Sequence, residues 1–329
     1  MLKWVIQMKR MICFFFLFLF CTLGLPYLIV CQFQKHHARV EKNGEPCQTI
    51  LVYRKDENQT VEMDTSQYLK EVVSAEMPAQ FHEEALKAQA VAARTYLVNR
   101  VNAARKSGAA EEHHGADICT DSTHCKAWIG EEERRRLWGA DQDANWKKIS
   151  DAVESTAGVL ITYHNEPISA VFHSTSSGRT ENAKDVWGND VPYLVSVPSE
   201  GDELSARYHS ERTLSIEEFQ QIAEAKLSGL DWSRGIIGEI TRSDAGGILT
   251  IEIGGVPVRG TEFRSMYELR STHVEPQITE DSVILSVTGF GHGVGMSQYG
   301  ANYLASAGKN YVEILKAYYT GVEVGKSTP

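Results

Sequence analysis

The sequence has 329 residues, 42% of them hydrophobic and 23% charged, with a formal net charge of -10. That length suits one large domain or two modest ones, and the acidic balance excludes the basic character of a nucleic-acid binder, so no nucleic-acid partner is expected. Of six cysteines, three lie in or beside an apolar N-terminal run, which excludes a disulfide scaffold.

Residues 1–10 are short and basic. Met11 to Val30 carries no charge and is roughly 20 residues long, enough to cross a bilayer core. Lys3, Lys9 and Arg10 precede it, and no acidic residue comes before Glu41. This pattern keeps 1–10 in the cytoplasm and makes 11–31 a transmembrane signal anchor. A cleaved signal peptide would need a small-x-small site that does not follow. The bulky Leu-Ile-Val before Cys31 does not suit a lipoprotein cysteine. Residues 32–47 read as a polar linker and 48–329 as an extracytoplasmic domain.

Within that domain, Thr49–Tyr53 and Thr60–Met63 are strand-like runs joined by a turn at Asp56–Asn58. Asp64 or Ser66 caps a short helix through Val73, and Pro78 breaks the pattern because it disfavours a helical Met77. A long helix runs from about His82 to Ala104, rich in Ala and Leu, the strongest helix formers. Being small and apolar nearly all round, it belongs at the centre. Residues 107–127 read as loop and Ile149–Thr156 as helix. Val159–Tyr163 and Ile168–His173 form a hairpin that runs into a hydroxyl-rich loop, and Ile236–Arg242 with Ile248–Ile253 form a second. Gly260–Leu269 is a helix, Val283–Thr288 is a strand leading into the glycine-rich loop Gly289–Ala301, and two helical stretches close the chain. Hairpins and helices without regular alternation give an α+β class: hairpin-rich sheets around a central Ala-rich helix, behind an N-terminal transmembrane helix.

Four constellations carry chemistry. Glu76, at the Pro-marked break, is placed where apolar neighbours can raise its pKa for acid catalysis; a helix-terminal Glu bonding backbone amides is the plainer reading. Lys87 and Arg94, seven apart, share a helix face and could position Glu76, bind substrate, or simply reach solvent. The loop GFGHGVGMSQ places four glycines around His292 and ends at Gln298. Such glycine density permits close backbone approach and favours a cleft lining over a plain turn, and its spacing is not that of a nucleotide loop. His113, Cys119, His124 and Cys125 supply two imidazoles and two thiols that fit tetrahedral zinc, with His114 able to replace His113 and a Cys119–Cys125 disulfide as the rival. Finally, His173 to Thr180, with Ser174 and Ser176, followed by Tyr193 and Asp202, offers hydroxyls suited to a sugar or to a solvated turn.

The segments EMPAQFHEEALKAQAVAARTY, FHSTSSGRTEN, VPYLVSV and GFGHGVGMSQYGA, in that order, resemble the stage II sporulation protein D family over roughly residues 48 to 325. The resemblance implies a peptidoglycan lytic transglycosylase active during forespore engulfment. Such an enzyme cleaves the MurNAc-GlcNAc bond to give 1,6-anhydroMurNAc ends and prefers strands stripped of stem peptides. It implies a single-pass protein of the engulfing membrane, with partners that are a sporulation amidase-endopeptidase and a membrane scaffold protein. It also implies that Glu76 is catalytic, that Lys87, Arg94, Tyr193 and Asp202 support the site, and that His113, Cys119, His124 and Cys125 form the structural zinc site of some members. Ser174, Ser176, His292 and Gln298 complete the expected substrate contacts. The rival readings are a non-catalytic peptidoglycan-binding enhancer of a cell-wall amidase, and a zinc amidase, which would need an open metal position.

Overall fold

A computed structural model describes residues 47–108 and 111–326. The expected cytoplasmic segment and membrane anchor, and nearly all of the linker, lie outside the described residues. Among those described, no helix is long and apolar enough to cross a membrane.

β1 (Thr49–Arg54) and β2 (Gln59–Asp64) pair antiparallel. Asp64 then caps α1 (Thr65–Glu76), accepting from the Gln67 N–H at 2.9 Å. Pro78 keeps Met77 extended, at φ −127° and ψ 136°, so the helix stops at Glu76. α2 (Glu83–Ser107) follows, and β3 (Ile118–Cys119) adds parallel to β1. Next come α3 (Glu131–Trp138), α4 (Gln142–Ser155), β4 (Val159–Tyr163), the two-residue strands β5 (Glu166–Pro167) and β6 (Phe172–His173), and α5 (Ala183–Trp187). β7 (His209–Ser215) runs through a capping box at Ser215 and Glu218 into α6 (Ile216–Glu224). β8 (Ile237–Arg242), β9 (Ile248–Ile253) and β10 (Val256–Arg259) form an antiparallel meander that leads into α7 (Gly260–Met266). β11 (Val274–Ile278) pairs with β12 (Ser282–Thr288), which also pairs with β7. β13 (Met296–Ser297) lies parallel to β6, α8 (Gln298–Ser306) and α9 (Tyr311–Tyr318) follow, and β14 (Glu323–Lys326) returns antiparallel to β4.

The class is α+β, with several small sheets rather than one large one. α2 is the centre of the first core: Ala85, Leu86, Ala88, Ala90, Val91, Ala92, Ala93 and Leu97 are all buried, and α1, α4, α8, α9 and β4 pack around it. Its small side chains let so many elements approach one cylinder. A second core, including Leu214, Phe219, Ile251, Phe263, Tyr267, Val283 and Leu285, fills the lobe between β7 and β12. There the Phe219 and Tyr267 rings stack with centroids 4.5 Å apart.

Three expectations change. The expected second hairpin strand Ile168–His173 is mostly irregular, because the chain leaves β4 after Pro167 and β6 pairs instead with β13. The helix expected at Ile149 begins at Gln142. The expected long loop Gly289–Ala301 is shortened by α8, which starts at Gln298 under a Ser297 cap.

Candidate functional site

Glu76 is the last residue of α1, at the negative end of the helix dipole, where a carboxylate is disfavoured. It is half-buried. Ala127 donates its backbone N–H to Oε1 at 2.8 Å, and the Gln298 amide also donates to the carboxyl group. Loss of water raises its pKa above the ordinary glutamate value, while the Lys126 ammonium and the two hydrogen bonds act in the opposite direction without cancelling the rise. Lys126 is buried, with Nζ 3.8 Å from the ring centre of Phe172 and 4.4 Å from that of Tyr96. Burial pulls its pKa down to about 8. Neither Lys126 nor Ala127 was legible as a partner of Glu76: the only signal was that Lys126 directly follows a candidate metal ligand.

That ligand set is assembled by a tight turn. β3 holds Cys119 against β1, and Asp121 accepts from the Thr123 N–H at 2.9 Å. The carbonyl of Asp121 accepts from the N–H groups of His124 and Cys125, which folds the chain back on itself. One donor atom from each of His113, Cys119, His124 and Cys125 falls within a 4.8 Å cluster. Sγ of Cys125 is 3.2 Å from Nε2 of His113 and 3.6 Å from Nδ1 of His124, and Sγ of Cys119 is 3.7 Å from that same Nδ1. Adjacent sulfur and nitrogen ligands on tetrahedral zinc are separated by roughly 3.6 Å, so the donor set fits such an ion with all four positions filled. The two cysteines carry free thiols. His114 lies outside the cluster, its ring 4.2 Å from that of Tyr53.

The glycine-rich loop lies flat against residues 171–181. Phe290 and Thr175 exchange backbone hydrogen bonds at 2.7 and 3.0 Å. A Cβ at Gly291, whose φ is 123°, would come 2.6 Å from Cβ of His173, and one at Gly295 would come 2.2 Å from the Val171 carbonyl oxygen. This contact aims His292. Its Nδ1 accepts from the Val294 N–H at 3.1 Å, and its ring sits 5.7 Å from that of His173 and 5.2 Å from that of Trp187. Burial, with His173 and Lys126 nearby, holds the imidazole neutral. Trp187, at the end of α5, is 44% exposed, an aromatic face of the kind on which a sugar ring packs. One acid, one ammonium, a neutral imidazole and an exposed indole are thus neighbours in sequence of contact, Glu76 with Lys126, Lys126 with His292 and His292 with Trp187.

Residues 53–163 match a family model described as stage II sporulation protein. Stage II sporulation protein D of Bacillus subtilis (strain 168) is 40% identical over 281 residues, covering 85% of this chain and 79% of that protein. Its namesake in Bacillus amyloliquefaciens is 38% identical over 298 residues, covering 89% and 84%. The chain belongs to the stage II sporulation protein D family. A Bacillus subtilis protein named amidase enhancer is 28% identical, covering 77% of this chain and 39% of that protein.

The other positions that resemblance to the stage II sporulation protein D family marks out have partners of their own. Lys87 pairs with Glu83 at 2.6 Å and with Glu84 at 2.9 Å, on the first turns of α2. Arg94 has no exposed surface: it donates to the Val153 carbonyl at 2.9 Å and to Thr156 Oγ1 at 3.3 Å, satisfying the end of α4. Asp202 is likewise fully buried and accepts from four donors: the N–H and hydroxyl of Ser176 and the hydroxyls of Ser199 and Ser297. It therefore ties the hydroxyl-rich loop to the start of α8, one residue before Gln298. Tyr193 accepts from the Ser169 N–H at 3.1 Å and packs 5.5 Å from Tyr163. Ser174 keeps some exposure, with its hydroxyl 3.1 Å from that of Thr175. Of the expected substrate contacts, Gln298 donates to Glu76 and His292 lies near Lys126.

Proposed function

We propose that this protein is a lytic transglycosylase that cuts peptidoglycan glycan strands between MurNAc and GlcNAc. The observation that carries the reading is the Glu76 carboxyl group, raised in pKa by burial, with Lys126, Ala127 and Gln298 as the groups acting on it and no second carboxylate among them. Ordinary glycosidases need two carboxyl groups, one as acid and one as base or nucleophile. One suffices when the nucleophile belongs to the substrate. Protonated Glu76 gives its proton to the glycosidic oxygen as the bond from that oxygen to C1 of MurNAc breaks. The C6 hydroxyl of the same sugar then bonds to C1, and its proton passes to the Glu76 carboxylate. The acid is regenerated, and intramolecular attack replaces a positioned water. Trp187 and His292 offer the surface on which the strand lies.

Zinc is the cofactor proposed for His113, Cys119, His124 and Cys125. It would supply rigidity, since four protein ligands leave no position for an activated water. That speaks against a zinc amidase. The proposed setting is the outer face of the engulfing membrane, with the described domain outside the cytoplasm, acting on strands stripped by the partner amidase-endopeptidase beside a membrane scaffold protein.

The test is mass spectrometry of purified, peptide-free strands after incubation with the full chain. An anhydro end identifies both the bond and the reaction. Binding without any cutting would instead favour the enhancer reading, for which the likeness to a protein named amidase enhancer is the specific observation.

A further inference from the structure

We propose that Arg207 and Arg270, gathered on the ring of Phe290, form a binding site for the free lactyl carboxylate of MurNAc on a stripped glycan strand. The inference rests on the reading of the protein as one that acts on such strands.

Three distant stretches of chain build the site. Arg207 precedes β7, Arg270 lies between α7 and β11, and Phe290 follows β12 in the glycine-rich loop, two residues before His292. Backbone bonds lock the three together. Gly291 donates its N–H to the Arg270 carbonyl at 2.9 Å, Gly289 donates to the Tyr208 carbonyl at 2.7 Å, and the Arg207 N–H donates to Ser205 Oγ at 3.1 Å. Each guanidinium carbon then lies 5.6 Å from the centre of the Phe290 ring, so the two charges are separated by no more than twice that distance. The Ser205 hydroxyl that holds Arg207 is 3.3 Å from that of Thr175, itself 3.1 Å from the partly exposed hydroxyl of Ser174. The pair therefore adjoins the hydroxyl-rich loop.

What the pair lacks is a counter-ion. The chain has 43 acidic residues, and other arginines of the lobe between β7 and β12 find acceptors inside it. Arg212 pairs with Glu268 at 2.8 Å, Arg242 pairs with Glu275 at 3.0 Å, and Arg264 donates to the Leu269 carbonyl at 3.2 Å. Among the described residues, the side chains of Arg207 and Arg270 meet only the Phe290 ring. An aromatic face uses none of the five N–H donors that each guanidinium carries. Arg207 is exposed and Arg270 half-buried, so both are within reach of a ligand. Two like charges held this close repel, and an anion shared between them reverses the sign of that interaction.

Chemistry selects the anion. The planar fork of arginine matches the two oxygens of a carboxylate. On a bare glycan strand the hydroxyls and acetamides are neutral, and the ionised group is the carboxylate of the lactyl ether on each MurNAc. While a stem peptide is attached, that carboxyl is an amide and carries no charge. An arginine pair that reads it binds stripped strands in preference to dressed ones.

The experiment is fluorescence anisotropy with strands labelled at the reducing end, on the full chain carrying Glu76→Gln so that they stay intact. Three probes are compared: stripped strands, the same strands with their carboxylates coupled to methylamine as neutral amides, and strands that keep their stem peptides. The first should bind about tenfold more tightly than the other two, the effect of one charged hydrogen-bonded pair. Adding Arg207→Gln and Arg270→Gln should bring all three to the weaker level. Arg207→Gln alone, at an exposed position, gives the readout if the double substitution does not fold. Equal binding of stripped and amidated strands overturns the proposal, and so does a preference that survives the substitutions. Peptide-bearing strands bound as tightly as stripped ones, with the same loss in the variant, would assign the arginines to stem-peptide carboxylates and equally overturn it. Binding does not need cutting. A charge preference without anhydro products from the native chain would sustain the subsite and defeat the proposed reaction, and anhydro products without a charge preference would do the reverse.

Discussion

Ala127 and Glu76 are 51 positions apart in the chain, yet the backbone N–H of the first lies 2.8 Å from Oε1 of the second. That bond joins the turn of Cys119, His124 and Cys125 to the end of α1. It makes the carboxyl group part of two structures at once, a helix that ends because of Pro78 and a turn closed by Cys125. The expected effects below follow from this junction and from the loops packed around it.

Replacing Glu76 with Gln preserves the shape and the acceptor for Ala127 but removes the transferable proton. Release of anhydro products should fall by about a hundred- to ten-thousand-fold, while strand binding, measured by co-sedimentation, persists. Near-native product release from the folded variant would end the assignment.

The same substitution should alter how stability depends on pH. The folded-state pKa of Glu76 is raised, so the stability contributed by its proton is fully present below the unfolded value and is lost as pH rises through the folded one. Gln undergoes no such loss. Urea unfolding from about pH 4 to about pH 8 should therefore show the variant gaining on the native protein through that window and then levelling off. A difference that stays constant with pH would contradict the burial argument.

Cys119→Ser should lower metal content and thermal stability together, because binding to four ligands gathered from a turn is itself folding free energy. Elemental analysis and melting measured on the same preparation check this. Native protein that carries no zinc and whose two sulfurs are bonded to each other would return the cysteines to the disulfide reading.

Asp202→Asn should act on folding first. The residue is fully buried and accepts from four donors, so turning one acceptor into a donor faces an N–H group toward hydroxyls already committed. A loss of about 2–3 kcal/mol is expected from the weakened charged hydrogen bonds. The urea midpoint should drop at an unchanged slope, and activity should recover on cooling. An unmoved midpoint would mean that the network contributes nothing.

Gly291→Ala should cost about 1–3 kcal/mol, since it combines a φ of 123° with a Cβ placed 2.6 Å from that of His173. Gly308→Ala is the control, with φ at 90° and no atom within 4 Å of the new carbon. It should lose less. Equal losses would show that backbone conformation alone, and not the packing of the loop on β6, sets the cost.

What could be read from the sequence follows the range of each interaction. The place of Glu76 at a helix end was legible because Pro78 acts on its immediate neighbour, and the candidate metal ligands could be grouped because all four lie within 13 residues of chain. α2 was legible as central because its composition admits no other place. Lys126 was not legible, since its relation to Glu76 depends on how β3 docks on β1, which no local pattern encodes. The shared face of Lys87 and Arg94 was legible, but not the partners each would take. On a helix enclosed by α1, α4, α8 and α9, the angle around the axis does not decide which cation reaches a cleft, and Arg94 meets the end of α4. α3 escaped because its stretch of consecutive charges buries no residue and so carries no apolar period. Asp202 was legible as important but not as a buried hub, because its serine donors come from positions 176, 199 and 297.

The lobe bounded by β7 and β12 leaves the rest of the domain at His209 and returns at Thr288, and those two residues are paired with each other in the ladder. An excursion whose exit and entry points meet leaves the course of the chain on either side unchanged, with Glu181 reaching into it to accept from the Gly247 N–H and to pair with His273. Its own core lets it lengthen, shrink or acquire a new surface over evolutionary time while residues 171–187 and 289–298 keep their register. Descendants of one ancestor could therefore differ widely in that lobe while keeping the same first core around α2.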